Sequence, residues 1–381
     1  MTRIVPPGEL PLGARVARDV LSGHAAKAPL LRAGVEVTES YRRALERAGI
    51  GGVYVDDEAG NGIQTTPALG EQTRLEVTNA LSDAFAEVSR AQAAGRPLER
   101  TTVSRLERAV TLVLDDICVA DTATLALASL AAADAYTLEH SIDVTVLGLL
   151  LGNRIFRVDG RIDHRGRRTR SGADDALRRL GLGLLLHDVG KVGMPLEILL
   201  KPGPLDDEEM ALVRTHPLLG LALLDEHEVS AHATAVVRWH HERWDGLGYP
   251  DRLAGDAIPQ FARIAAVADV YSALTTRRPY RAATAPDVAL EIIRQGAGTQ
   301  FDTEVVDALC AVVAPFPPGS AITLADGRSG VVAAVQEGQL DRPLVRVLRD
   351  EAGTTVEPYE VDLATAPGLV PAARPATQPR A

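Results

Sequence analysis

The chain has 381 residues, 46% of them apolar, with nine histidines and a formal net charge of −11. That length accommodates two or three domains with large cores, and the acidic balance argues against a nucleic-acid polymer as partner, because such binders carry a basic stripe. Cys118 and Cys310 are its two cysteines; they fit no CxxC spacing, so neither a thiolate zinc site nor a disulfide framework is indicated, and a reducing, cytoplasmic setting is expected.

Residues 1–21 carry scattered charges and Pro6-Pro7 in place of a continuous apolar stretch, so they do not read as a signal peptide. No apolar run reaches the roughly 18 residues that would suggest a membrane span, and no membrane insertion is expected. Residues 1–65 read as a small α/β module, with a helix over 38–48 capped by Thr38 and a strand at Val53-Tyr54-Val55-Asp56 after a Gly turn. From Leu75 the apolar spacing becomes helical. Val77, Leu81, Phe85 and Val88 fall on one face, then Leu106, Val110, Val113 and Ile117 on another, which predicts a helical connector over 70–120.

Residues 121–315 continue as helices separated by polar or Gly/Pro breaks, without strand periodicity, and predict an all-helical domain. Inside it, residues 153–174 are rich in Gly and Arg, with Arg154, Arg157, Arg161, Arg165, Arg167, Arg168 and Arg170. A solvated loop is the plain reading, and a phosphate-attracting lid over a nearby site is the sharper one. After Pro315, short β-like runs at 321–324, 330–335 and 344–348, separated by Asp326-Gly327 and Asp341-Arg342-Pro343, predict a small β module over 318–365. Residues 366–381, with Pro371, Pro375 and Pro379, read as a disordered tail.

The chemistry lies in the helical region. His240 and His241 are adjacent and run into the Gly/Pro loop Asp245-Gly246-Leu247-Gly248-Tyr249-Pro250; upstream lies His187-Asp188-Val189-Gly190-Lys191, with His140, His216 and Asp269 placed around it. Imidazole and carboxylate ligate Zn, Mn, Fe or Ni, and one shared carboxylate lets two divalent ions sit about 3.5–4 Å apart. Asp188 is the natural bridge. Lys191, three residues on, can present a cation to a phosphate held at such a site. The two glycines of the loop allow close backbone approach, and Arg277-Arg278-Pro279-Tyr280-Arg281 adds groups that fork onto phosphate or stack on a base.

His140-Ser141, the stretch from His187 to Lys191, Lys201-Pro202-Gly203, His216-Pro217, the stretch from His240 to Pro250, Asp269 and Arg278-Pro279-Tyr280 together resemble the HD-GYP family. The resemblance covers residues 130–310. It implies a mainly α protein: an all-helical HD-type catalytic domain flanked by a small N-terminal α/β module and a small C-terminal β module. It also implies hydrolysis of cyclic di-GMP to linear pGpG, and often onward to GMP, with two or three metal ions, commonly Fe or Mn. By motif position, His140, His187, Asp188 and Asp269 would hold one ion, and Asp188, His216, His240 and His241 the other. Lys191, Tyr249, Arg278 and Arg281 would contact the nucleotide.

Three departures from the family pattern stand out. Tyr136 occupies the position of the Glu that accompanies a third metal, so two ions are expected; Ser272 replaces a second Asp three residues after Asp269; and the Arg-rich segment lengthens the interval from His140 to His187. The competing functions are a catalytically weak cyclic-dinucleotide receptor that signals to a partner, which Ser272 keeps open, and an HD phosphohydrolase acting on another nucleotide. A homodimer or a signalling-protein partner is compatible with either.

Overall fold

The structure is a computed structural model, and it describes residues 2–5, 7–20, 29–48, 50, 52–57, 60–63, 68–119, 136–162, 166–199, 201, 203–224, 228–276, 283–366 and 368–372. At the N-terminal end, strand β3 (Val53–Asp56) lies between β1 (Thr2–Val5) and β2 (Arg15–Val16), antiparallel to both. Helix α1 (Glu39–Arg47) starts where Thr38 Oγ1 accepts a hydrogen bond from the Tyr41 amide at 3.3 Å, the cap expected from the sequence. Val5, Val16, Leu45, Val53 and Val55 close this module over its own small core.

Two long helices follow, α2 (Glu71–Ala94) and α3 (Arg100–Val119). The apolar stripes read from the sequence are the faces they bury: Val77, Leu81, Val88, Leu106, Val110, Val113 and Ile117 are buried, with Phe85 half-buried at the edge. Their core is continuous with that of the central helices, so the connector is packed into the helical body.

The centre is built from α4 (Tyr136–Arg154), α5 (Ala173–Leu186), α9 (Ala231–Trp239) and α10 (Gln260–Thr275), with the short α6 (Leu196–Leu199), α7 (Asp207–Val213) and α8 (His216–Ala222) between α5 and α9. α5 packs on both α4 and α9, and α10 packs on the same two helices. Along the α4–α5 contact a Cβ on Gly148 would come within 2.5 Å of Leu184 and one on Gly152 within 2.5 Å of Leu180, so the helices run antiparallel at close range. This brings the N-terminal turns of α4, which carry His140, beside the C-terminal end of α5, which delivers His187. Helices α11 (Pro286–Gln295) and α12 (Thr303–Val312) complete the body, and no described helix is long and apolar enough to cross a membrane.

The Arg-rich segment differs from both readings of the sequence. It forms a π-helical turn (Ile155–Gly160) and a two-stranded ribbon, β4 (Arg161–Ile162) with β5 (Arg168–Thr169). Arg168 forks onto Glu304 at 2.6 and 2.7 Å, Arg157 pairs with Asp174 at 2.5 Å, and Arg170 donates to the Val158 carbonyl at 2.9 Å. The ribbon joins the C-terminal end of α4 to the N-terminal end of α5. With a rise of 1.5 Å per residue, the 14 residues of α5 hold it about 21 Å from His187, too far to be a lid.

The C-terminal module is a meander of four antiparallel strands, β6 (Ala321–Thr323), β7 (Ser329–Gln336), β8 (Gln339–Arg349) and β9 (Thr355–Asp362). The β7–β8 turn is made at Gly338, whose φ is 76°, and β8 runs through Asp341-Arg342-Pro343, which the sequence reading took as a break. Proline lacks an N–H for the ladder, and the β7–β8 register is irregular there. Residues 368–372, expected in the tail, pair along β6: the Ala325 amide donates to Val370 O at 2.9 Å and the Ala372 amide to Thr323 O at 2.8 Å.

Candidate metal centre

The ends of several elements converge on one buried cluster. His187 caps the C-terminus of α5, Asp188 opens a 3-10 turn (Val189–Gly193), and His216 is the first residue of α8. His240 caps α9 with His241 next to it, and His140 and Asp269 come from the interiors of α4 and α10. The close approach depends on Gly190: a Cβ there would lie 2.0 Å from the His216 carbonyl oxygen, so only glycine lets the 3-10 turn meet α8.

Two sets of donors result. Asp188, His216, His240 and His241 form one, with their donor atoms within 4.8 Å of one another; His140, His187 and Asp269 form the other. Asp188 joins them. Its Oδ1 lies 3.3 Å from His216 Nε2 and 3.8 Å from His240 Nε2, while its Oδ2 lies 3.4 Å from His187 Nε2. His140 Nε2 is 3.0 Å from Asp269 Oδ1, and His241 Nδ1 is 3.8 Å from Asp269 Oδ2. Lys191 Nζ sits 2.6 Å from Asp188 Oδ2, as an i,i+3 pair on a turn of three residues should.

The surrounding hydrogen bonds fix which ring nitrogens face inward. Nδ1–H of His187 donates to Leu184 O at 2.7 Å, that of His216 to Val213 O at 2.8 Å and that of His240 to Val236 O at 3.0 Å. His140 Nδ1 lies 3.0 Å from Ser272 Oγ. Each carbonyl bond selects the tautomer that turns an Nε2 lone pair toward the cluster, the arrangement a metal-binding imidazole needs, and the Ser272 contact orients the His140 ring.

Protonation of both carboxylates and of His240 and His241 follows the same direction. Burial alone would raise the carboxyl of Asp188, but Lys191 and His187 outweigh it and hold the group well below its ordinary range. Asp269 is likewise lowered, against the effect of burial, by His140 and His241. Burial and neighbouring imidazoles push His240 well down; burial pushes His241 down to about 3. His187 goes the other way, because Asp188 and Asp269 overcome its burial. Ionised carboxylates beside neutral imidazoles are the ligand forms for a divalent cation. His187 Nε2 and Asp188 Oδ1 are buried without a hydrogen-bond partner, a state that costs about 1–3 kcal/mol per group unless something fills it. These donors fit divalent metal ions.

The loop after His241 is held by a residue that sequence reasoning passed over. The buried carboxylate of Glu242 accepts from the Asp251 amide at 2.7 Å and the Leu253 amide at 3.0 Å, on either side of Arg252, whose φ is 57°. A Cβ on Gly248 would lie 2.4 Å from the Arg243 amide nitrogen, so this position admits only glycine. Tyr249, joined to Pro250 by a cis peptide, stacks on His241 with ring centroids 4.7 Å apart, and the Arg214 guanidinium lies over the tyrosine ring at 5.6 Å. Burial raises the phenol of Tyr249, keeping it neutral. Arg278 and Arg281 lie outside the described residues, as does the side chain of Tyr136. Glu242 could have been suspected from its place directly after the two histidines; Arg214 gave no signal beyond standing two residues before His216.

Residues 167–305 match the HD domain family. The chain is 37% identical over 240 residues to a cyclic di-GMP phosphodiesterase of Pseudomonas aeruginosa, covering 63% of this chain and 54% of that protein. It is 49% identical over 131 residues to a probable cyclic di-GMP phosphodiesterase of Vibrio cholerae, covering 32% of this chain and 30% of that protein. A 3′3′-cGAMP-specific phosphodiesterase of Vibrio cholerae is 40% identical over 126 residues, covering 32% of this chain and 24% of that protein. The chain therefore spans about half or less of the length of these relatives.

Proposed function

We propose that the chain is a member of the HD-GYP family and a metal-dependent phosphodiesterase that hydrolyses cyclic di-GMP to pGpG and onward to GMP, a reading supported by the HD-domain match and the similarity to cyclic di-GMP phosphodiesterases. The observation that carries this reading is the division of Asp188, whose two oxygens face different sets of histidines. His140, His187, Asp188 and Asp269 would hold one divalent ion, and Asp188, His216, His240 and His241 a second, with Fe or Mn as the metal. Such ions supply Lewis acidity and an activated water near neutral pH.

The chain's own groups do the rest. Backbone carbonyls hold His187, His216 and His240 in the ligating tautomer, and Ser272 orients the His140 ring. Lys191 places a cation beside the cluster, where it attends a phosphoryl oxygen of the substrate. Tyr249, held against His241, forms one wall of the binding site, with Arg278 and Arg281 as further nucleotide contacts. Water adds to phosphorus, the P–O3′ bond breaks, and the released oxygen takes a proton, which opens the ring.

Anaerobic incubation of metal-reconstituted protein with cyclic di-GMP, followed by chromatography of the products, tests the proposal. Appearance of pGpG and GMP supports it. Tight binding without cleavage would make the protein a receptor, and preferential cleavage of 3′3′-cGAMP would move it to the other dinucleotide.

A further inference from the structure

Arg214 is a cation placed over the Tyr249 ring, which stacks on His241 of the cluster, by an element outside the Gly-Tyr-Pro loop. It caps the C-terminus of α7, and its backbone is fixed between two anchors: Val213, whose carbonyl holds the His216 ring, and the turn in which Thr215 Oγ1 donates to Leu212 O at 2.7 Å. The side chain is exposed and reaches the Tyr249 ring, which itself stacks on His241. Among the described residues the guanidinium meets no carboxylate or carbonyl, whereas Arg238, Arg243 and Arg263 nearby are each taken by an aspartate.

A free arginine on a rigid turn beside a phosphodiester-cleaving centre suits an anion. Lys191 already serves the oxygens at the cluster, and a cyclic dinucleotide with one phosphodiester there carries its second across the ring. From this geometry we infer that Arg214 clamps the second, non-reacting phosphodiester of the substrate and so makes the site selective for cyclic dinucleotides over simple diesters. The inference rests on the functional reading above. It also assigns the cation over Tyr249 to the substrate, so Tyr249 orients Arg214 as well as lining the site.

The test compares two substrates on the metal-loaded protein: cyclic di-GMP, with two phosphodiesters, and bis(4-nitrophenyl) phosphate, with one. Arg214→Ala should raise the ratio of KM for cyclic di-GMP to KM for the simple diester by about 10-fold or more, the scale of a lost charge-assisted contact. Arg214→Lys should recover part of it, and metal content should match the parent. A ratio that does not move, whether both KM values rise together or neither does, overturns the inference alone. A parent protein that cleaves the simple diester but not cyclic di-GMP overturns the functional reading, and this inference with it.

Discussion

Ser272 Oγ lies 3.0 Å from His140 Nδ1, on the face of that imidazole turned away from Asp269. The serine stands where the family pattern has an aspartate, and it keeps the hydrogen bond that aims Nε2 at the cluster while giving up the charge. The departure therefore leaves His140 oriented, which removes the main reason for regarding the protein as a receptor.

This relationship predicts the behaviour of two variants. Ser272→Ala should weaken metal binding by about 10–100-fold, the usual cost of losing a partner behind a ligand. Ser272→Asp should raise metal retention or turnover several-fold, because a carboxylate makes the imidazole a stronger donor. Competition with a chelator measures both, and an alanine variant that holds its metals as tightly as the parent would show that His140 needs no support.

How much of this was legible in the sequence depended on whether a residue's signal was local. The stripes of α2 and α3 and the Thr38 cap are written in short-range spacing, and the structure uses them as written. The convergence of the seven candidate residues had another source: the residues fall in separate short motifs of His and Asp, and the helix ends that carry them meet in one place. The Arg-rich segment shows the opposite case. Its charge suggested a phosphate lid, but Arg168 is satisfied by Glu304, 136 residues away in sequence, and only the antiparallel packing of α4 and α5 shows that the ribbon lies at the far end from His187. The strand through Pro343 was hidden similarly, since a register irregularity rescues a residue that local rules count as a breaker.

Asp188 should be the least replaceable side chain in the cluster. Its two oxygens serve different donor sets, and it neutralises Lys191 at 2.6 Å. Asp188→Ala should abolish hydrolysis and reduce bound metal to less than one ion per chain by elemental analysis. Normal metal content in this variant would refute the bridging role.

Lys191 makes a contrasting prediction. It touches Asp188 but offers no donor to a metal, so Lys191→Ala should retain both ions and lose turnover by about 10²-fold, as removal of a charge-stabilising group commonly does. Lys191→Arg should recover part of the rate. Loss of metal in the alanine variant, measured on anaerobically prepared protein, would place Lys191 in support of Asp188 rather than on the substrate.

Glu242 links the stability of the loop to the geometry of the site. Its buried carboxylate is the shared acceptor for the Asp251 and Leu253 amides, and these two bonds secure the chain on either side of Arg252 in its left-handed conformation. Such a conformation costs a non-glycine residue about 1–2 kcal/mol and persists only where neighbours enforce it. Glu242→Ala should therefore release the loop by removing the shared acceptor of the two part-buried amides, and let Tyr249 swing away from His241. The expected signature is a raised KM with metal content near that of the parent, together with faster amide hydrogen exchange confined to residues 245–254. Glu242→Gln keeps one acceptor oxygen and should fall between parent and alanine. Protection of that segment unchanged in the alanine variant would show that Gly248 and the Arg238–Asp251 pair at 2.7 Å are sufficient to hold the loop without Glu242.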